Sequence, residues 1–243
     1  CIESILNSSF KNFKIILIDN EYQKSMSDQL KKSKKIHLIR NEKNEGFARA
    51  NNQGIKYSIK NGFDYVLLLN NDTVIKNNLL ELLIKQSNTL NQKIIQPLIL
   101  NYDGSKIWNA GGTINNFFGT FETLKKGKSF KDFKSNRNLT EWFTGCCVLI
   151  KSDVFNDIGY FDERFFAYYE DVDFSIRLKK MGYSIALMTD SYLQHYESAS
   201  SKSINKSEGN LSPYVHYLNI RNHILLLKKH SKSFNTIGVL FYQ

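Results

Sequence analysis

Two short apolar runs, Lys14-Ile15-Ile16-Leu17-Ile18 and Tyr65-Val66-Leu67-Leu68-Leu69, stop abruptly at polar residues, the first at Asp19-Asn20 and the second at Asn70-Asn71-Asp72. Runs of this length read as buried strands, and the polar residues that end them read as loops at their carboxyl ends. Between them Ile36-His37-Leu38-Ile39 is a further strand, followed by a loop from Asn41 to Gly46 and a helix from about Phe47 to Lys60. This alternation predicts an α/β fold with a mainly parallel, Rossmann-type sheet flanked by helices on both faces. In such sheets ligands collect at the carboxyl ends of the strands, where Asp19, Asn20 and Asp72 stand.

The second half has a different texture. Gly111-Gly112, Gly119 and the Lys-rich stretch from Lys125 to Lys134 predict loops or a hairpin inserted after the first half of the sheet, without an independent domain. Trp142-Phe143-Thr144-Gly145 leads into a strand from Cys146 to Ile150, then a short helix near Val154 to Ile158 and an aromatic loop reaching Glu170. Val172, Phe174, Ile176, Leu178 and Met181 recur at helical spacing, with Gly182 as the stop. Ser198 to Ser207 is Ser/Lys-rich and expected to be mobile, and Tyr214 to Lys229 reads as a basic amphipathic helix. One domain over 1–210 with a helical segment over 211–243 is the expected organisation.

At 243 residues with 42% hydrophobic side chains the chain is long enough for one substantial core, and no twenty-residue apolar run offers a membrane span. A soluble chain is expected. Cys1, Cys146 and Cys147 draw neither a disulfide framework nor a CxxC metal pattern, so a reducing compartment is the default. The formal charge of +10 attracts nucleic acid, acidic lipid and nucleotide phosphate alike. The chain opens at Cys1, within what reads as the middle of an amphipathic helix, and an upstream segment is expected.

Four features carry candidate chemistry. Asp72, at the mouth of a buried strand, suits a divalent cation clamping a diphosphate, because Mg2+ or Mn2+ takes few protein oxygens and completes its sphere with phosphate and water. Equally, it suits the N-cap of a helix beginning near Val74. The cluster Glu170-Asp171-Val172-Asp173 fits a first helical turn favoured by the dipole, with Asp173 able to pair with Arg177. That reading leaves the aromatic approach Phe165-Phe166-Ala167-Tyr168-Tyr169 unexplained. A carboxylate walled by Phe and Tyr is partly desolvated, which raises its basicity and suits a general base for a hydroxyl. His195, at the end of another strand, is either structural or a third ligand for Mn2+, and Trp142 is either core or a platform for an apolar ligand face.

In their order, the stretches 1–10, Ile18-Asp19-Asn20, Asn41 to Gly54, Leu69-Asn70-Asn71-Asp72-Thr73, Phe143 to Lys151, Gly159 to Phe166 and Glu170 to Asp173 resemble the family 2 glycosyltransferases of GT-A fold. The likeness is to the rhamnosyltransferase-like branch of bacterial surface polysaccharide synthesis, and it runs from the first residue to about His195. The resemblance implies an inverting transfer from a nucleotide-sugar donor to a glycan or lipid-linked acceptor. Asp19 and Asn20 would then touch the base or ribose, and Asn44, Gly46 and Asn51 would shape the nucleotide pocket. Asn70-Asn71-Asp72 holds the place of the acidic metal motif, with Asn71 on the donor side, Asp72 as the carboxylate and Asn70 replacing an Asp. Asp171 takes the position of the catalytic base and His195 that of an additional ligand to Mn2+ or Mg2+. From the residues themselves, Trp142, if not core, offers a platform to the acceptor sugar, and Glu170 serves either as a helix cap or as a contact to the acceptor's hydroxyls. The resemblance also implies an opening strand and a C-terminal portion beyond this sequence.

Two other classes compete. A sugar-phosphate nucleotidyltransferase normally needs a Gly-rich, Arg/Lys-bearing phosphate loop just after the first strand, the strand expected to lie upstream of this sequence. A non-catalytic nucleotide-sugar binder or a nucleic-acid binder is the other; nucleic-acid binding calls for basic residues interleaved with aromatics on one face, whereas the Lys residues here scatter across loops. Nucleic acid is therefore not the expected partner. The expected setting is the cytoplasm, with peripheral contact at the inner face of the cell membrane through the basic C-terminal helix.

Overall fold

The computed structural model describes residues 1–20, 33–134, 139–196, 212–235 and 239. The Ser-rich stretch from Ser198 to Ser207 lies outside the described residues. Helix α1 (Ile2–Leu6) leads to β1 (Ile15–Asp19) and β2 (Ile36–Arg40), which pair in parallel as a sheet of their own, Ile15 opposite Ile36 and Asp19 opposite Arg40. Helix α2 (Gly46–Lys60) lies against β1, where Gly54 faces Ile16 and Ile18. Then come β3 (Tyr65–Leu69), β4 (Thr73–Ile75), α3 (Leu79–Leu90) and β5 (Ile94–Asn101). Short strands follow at β6 (Ile107–Asn109), β7 (Gly112–Asn115), β8 (Thr120–Thr123) and β9 (Leu139–Thr140), the middle two forming the hairpin that the glycines announce. The chain returns through β10 (Cys147–Lys151), α4 (Val154–Ile158), α5 (Glu170–Lys180), β11 (Ile185–His195) and α6 (Pro213–Lys229).

The larger sheet runs β3-β10-β5-β11-β4, with β6 on β5 and β9 on β11. It is mixed, not mainly parallel as the alternation predicts: β5 and β11 are parallel, while β10 opposes both of its neighbours and β4 opposes β11. An apolar run buried on both faces reveals a strand but not its direction, which the connections decide. Alternate residues of β10 serve the two faces. Val148 and Ile150 pack with Ala48, Ile55, Phe155 and Phe174, and Cys147 and Leu149 pack with Leu79, Leu83, Ile95 and Ile99.

A central strand carries Pro97, which has no N–H to give to a ladder. The fold accommodates it with an irregularity in β11, whose register against β5 shifts between Met188, opposite Pro97, and Tyr192, opposite Leu98. Helix α6 starts at Ser212, whose hydroxyl accepts from the Val215 amide, with Pro213 in the first turn. Leu226 joins Val172, Ile176, Phe165 and Trp142 in one buried cluster, so the described part of the C-terminal segment shares its core with the sheet domain.

Candidate active site

β3 ends at Leu69 and β4 begins at Thr73, so Asn70, Asn71 and Asp72 form a tight connection between strands, and no helix starts near Val74 for Asp72 to cap. The connection is pinned on both sides: the Asn70 amide donates to the Cys146 carbonyl at 2.9 Å, and the Thr73 hydroxyl to the Asn70 carbonyl at 2.7 Å. His195, paired with Thr73 across the β11–β4 ladder, places Nε2 3.2 Å from Oδ1 of Asp72 and is only 6% exposed. Asn71 is exposed beside it.

Sequence reasoning missed Trp108. Its ring stands edge-on to His195 with centroids 4.3 Å apart, and Nζ of Lys126 lies 5.9 Å from its centroid. The Trp108 indole N–H and Nδ1 of His195 are both buried and find no hydrogen-bond partner among the described residues. Each such atom costs about 1–3 kcal/mol unless water or a ligand meets it, and here two lie in adjoining rings beside Asp72. A carboxylate and an imidazole at this spacing suit Mn2+ or Mg2+. Among the described residues no cluster of three or more His, Cys, Asp or Glu forms a closed cage, so an ion held here takes its other ligands from a bound molecule and water.

The second group opens α5. Glu170 is 4% exposed and its Oε2 has no hydrogen-bond partner among the described residues; burial, then the charge of Asp171, holds its carboxyl well above the usual carboxylate range. Asp171 keeps partial solvent contact and is oriented by two amides, Gly145 N–H donating to Oδ2 at 3.0 Å and Val172 N–H to Oδ1 at 2.9 Å. Burial raises its pKa and these bonds pull against the rise. Asp173 is committed elsewhere, to Arg177 Nε at 3.0 Å, Lys229 Nζ at 2.7 Å and His230 Nε2 at 2.8 Å. Burial pushes its carboxyl up, but the His230 hydrogen bond and the Arg177 and Lys229 charges outweigh that and hold it below the ordinary value. Trp142 resolves to the core alternative: its ring is buried, packed on Gly112, and its N–H donates to the Thr113 carbonyl at 3.3 Å. The open platform expected for an acceptor is therefore not formed by Trp142, because the hairpin covers it.

The third group lies at the end of β1. Asp19 pairs with Arg40 at 3.3 Å, and Asn20 accepts from Asn41 Nδ2 at 2.6 Å while donating to the Gly46 carbonyl at 3.3 Å. Asn44 accepts from the Gly46 amide at 2.9 Å, and Asn51 donates to the Phe47 carbonyl one turn back at 2.9 Å, bracing the first turn of α2. Gly46 has φ +80°, and a Cβ there would lie 2.5 Å from the Phe166 ring, so only glycine lets this loop touch the aromatic loop before Glu170.

Residues 144–147 join the first two of these groups. Gly145 holds Asp171, Cys146 holds Asn70, and the buried Cys146 thiol, raised first by burial and then by Cys147, also feels the charges of Asp72 and Asp171. Gln96, fully buried, accepts from the Thr144 amide at 2.8 Å and donates to Asn109 at 2.7 Å, tying the Trp108 turn to the same loop.

A mixed central sheet packed with helices, with an Asn-Asn-Asp connection beside a carboxylate-led helix, defines the GT-A fold. It is shared with a solved structure of GalNAc-T7 with UDP, GalNAc and Mn2+ (TM-score 0.67, 16% identity, 93% of this chain and 45% of that one). A Staphylococcus aureus TarS fragment, 1–349, is also similar (TM-score 0.53, 15% identity, 79% of this chain and 54% of that one). Residues 1–159 match the model described as glycosyl transferase family 2, and the chain belongs to that family. Its sequence is rhamnosyltransferase-like: it is 27% identical over 222 residues to a dTDP-rhamnosyl transferase, RfbF, of Shigella flexneri, covering 90% of this chain and 72% of that protein. It is 30% identical over 194 residues to the low-salt glycan biosynthesis hexosyltransferase Agl10 of Haloferax volcanii, covering 78% of this chain and 59% of that protein.

Proposed function

We propose that the chain transfers a sugar from a nucleoside-diphosphate donor to an acceptor hydroxyl with inversion, Asp171 serving as general base. The observation that carries this reading is the Gly145 bond to Asp171, because the same four-residue segment anchors the Asp72 connection. Asp171 takes the acceptor hydroxyl's proton as the acceptor oxygen bonds to the anomeric carbon and the bond from that carbon to the diphosphate oxygen breaks. The nucleoside diphosphate leaves from the opposite face, and no covalent enzyme intermediate is needed. Asp72 and His195 would hold Mn2+ or Mg2+, which when bound supplies positive charge against the departing diphosphate. Asp19, Asn20, Asn44 and Gly46 line the donor side, with Asn51 bracing them, and buried Glu170 backs the acceptor side. The likeness to RfbF makes dTDP-rhamnose the first donor to test, with UDP-sugars next.

Calorimetry with dTDP and UDP, with and without Mn2+, tests the donor side: binding should tighten at least tenfold with the ion and lose that dependence in Asp72→Ala. Equal ion dependence in the variant would remove Asp72 from the role.

We also infer cytoplasmic placement with peripheral contact at a membrane surface where lipid-linked acceptors reside. No helix among the described residues is long and apolar enough to cross a membrane. Helix α6 instead presents Tyr214, Tyr217, Ile220 and Ile224 to solvent, while Arg221 and Lys229 turn inward onto carbonyls and carboxylates. The outward stripe is thus more aromatic and aliphatic than basic. Flotation with anionic vesicles should recover the chain, and Tyr217→Glu with Ile220→Glu should abolish recovery; unchanged recovery would exclude this face.

A further inference from the structure

Phe166, Tyr168 and Tyr169 have φ of +64°, +71° and +71°. A positive φ costs at least about 1–2 kcal/mol at a residue with a side chain, so three aromatic residues keep it only if their surroundings hold them. The holding group comes from α6. Asn222 is completely buried, and its Nδ2 lies within hydrogen-bond distance of the carbonyls of Phe165 at 2.8 Å, Ala167 at 2.7 Å and Tyr168 at 2.8 Å, its two hydrogens shared among the three. Its Oδ1 accepts from Arg221 Nε at 2.9 Å and Nη2 at 2.6 Å, which fixes the end of the amide that faces the loop. Arg221 Nη2 shares its second hydrogen between the Arg164 and Phe165 carbonyls, and on the far side the Ala48 amide donates to the Phe166 carbonyl at 3.0 Å. Tyr169, the last left-handed residue, stacks on His223 and is the N-cap of α5. The directions of Glu170 and Asp171 therefore follow from the loop, and the loop from α6.

We propose that Asn222 is a positioning residue for the reaction: from the C-terminal helix it clamps the left-handed loop that aims the Asp171 carboxylate. Its effect on turnover rests on the reading of Asp171 as the base, whereas its hold on the loop does not. Asn222→Asp keeps the volume and the Arg221 contacts but sets an acceptor against three carbonyl oxygens. Sugar transfer and amide hydrogen exchange are measured on the whole chain for Asn222→Asp, for the milder Asn222→Ser should the first not fold, and for Leu226→Ala. The last removes core packing one turn along the same helix and leaves Asn222 in place.

The expected result for the Asn222 variants is a fall in kcat of tenfold or more, donor KM within threefold of the parent, and faster exchange concentrated in residues 166–171. Leu226→Ala should lower the melting temperature and retain kcat within threefold. Parent-like kcat and exchange in the Asn222 variants would overturn the proposal, and so would an equal loss of kcat in Leu226→Ala. If the parent transfers sugar from none of the donors, the proposed function fails on its own account, and exchange at 166–171 still decides whether Asn222 clamps the loop.

Discussion

Glu170 and Asp171 are adjacent carboxylates in opposite circumstances, one buried with an oxygen that meets no donor among the described residues, the other gripped by two amides and reached by solvent. A carboxyl whose folded pKa is raised contributes stability that is fully present below its unfolded pKa and is lost as pH rises through the folded value. Glu170, raised first by burial, therefore weakens the fold at neutral and alkaline pH. Glu170→Gln should raise the melting temperature by about 2–4 °C at pH 8, with the gain fading toward pH 4; a lower melting temperature at pH 8 would show that the charge is compensated. At Gly46, positive φ and the Phe166 ring both oppose a side chain. Gly46→Ala should cost at least about 1 kcal/mol in urea denaturation and weaken nucleotide binding, and an unaffected variant would mean the two loops separate freely.

Between elements, the Asp173 cluster is the counterpart of the Asn222 clamp, since Arg177 comes from α5 itself while Lys229 and His230 come from the end of α6. Here the sign reverses: a depressed carboxyl gives stability present above its unfolded pKa and lost as pH falls through the folded one. Asp173→Asn leaves three cationic or polar partners facing a neutral amide and should cost about 3–5 kcal/mol at pH 7, with little further loss on acidification. Chemical denaturation at pH 7 and pH 4 checks both halves, and a parent-like acid response in the variant would assign acid sensitivity elsewhere. The Asp173–Arg177 pair was legible from one-turn spacing, but Lys229 and His230 were not, because nothing local reports a partner more than fifty residues away. The strands ending at Leu69 and Asp19, which lead into the Asn70–Asp72 connection and the Asn20 loop, were legible from their apolar runs. β5 was not, since Pro97 breaks its pattern, and the irregularity in β11 falls opposite it. Trp108 escaped for a related reason: a single Trp ahead of a glycine turn signals nothing until β11 brings His195 against it.

Across the whole molecule, the Asn70–Asp72 connection, the start of α5 and, through Gln96, the Trp108 turn are all tied to residues 144–147, and a C-terminal helix holds the loop leading to Glu170 and Asp171. The family motifs gave the residues at strand ends, while the relation between them depended on a mixed sheet whose strand directions the apolar runs did not encode. The most direct test of the central claim is release of nucleoside diphosphate from a panel of dTDP- and UDP-sugars with a glycan acceptor, comparing the parent with Asp171→Asn. The account predicts acceptor-dependent release from at least one donor, falling a hundredfold or more in the variant with donor affinity within threefold; release that is undiminished in Asp171→Asn would contradict it.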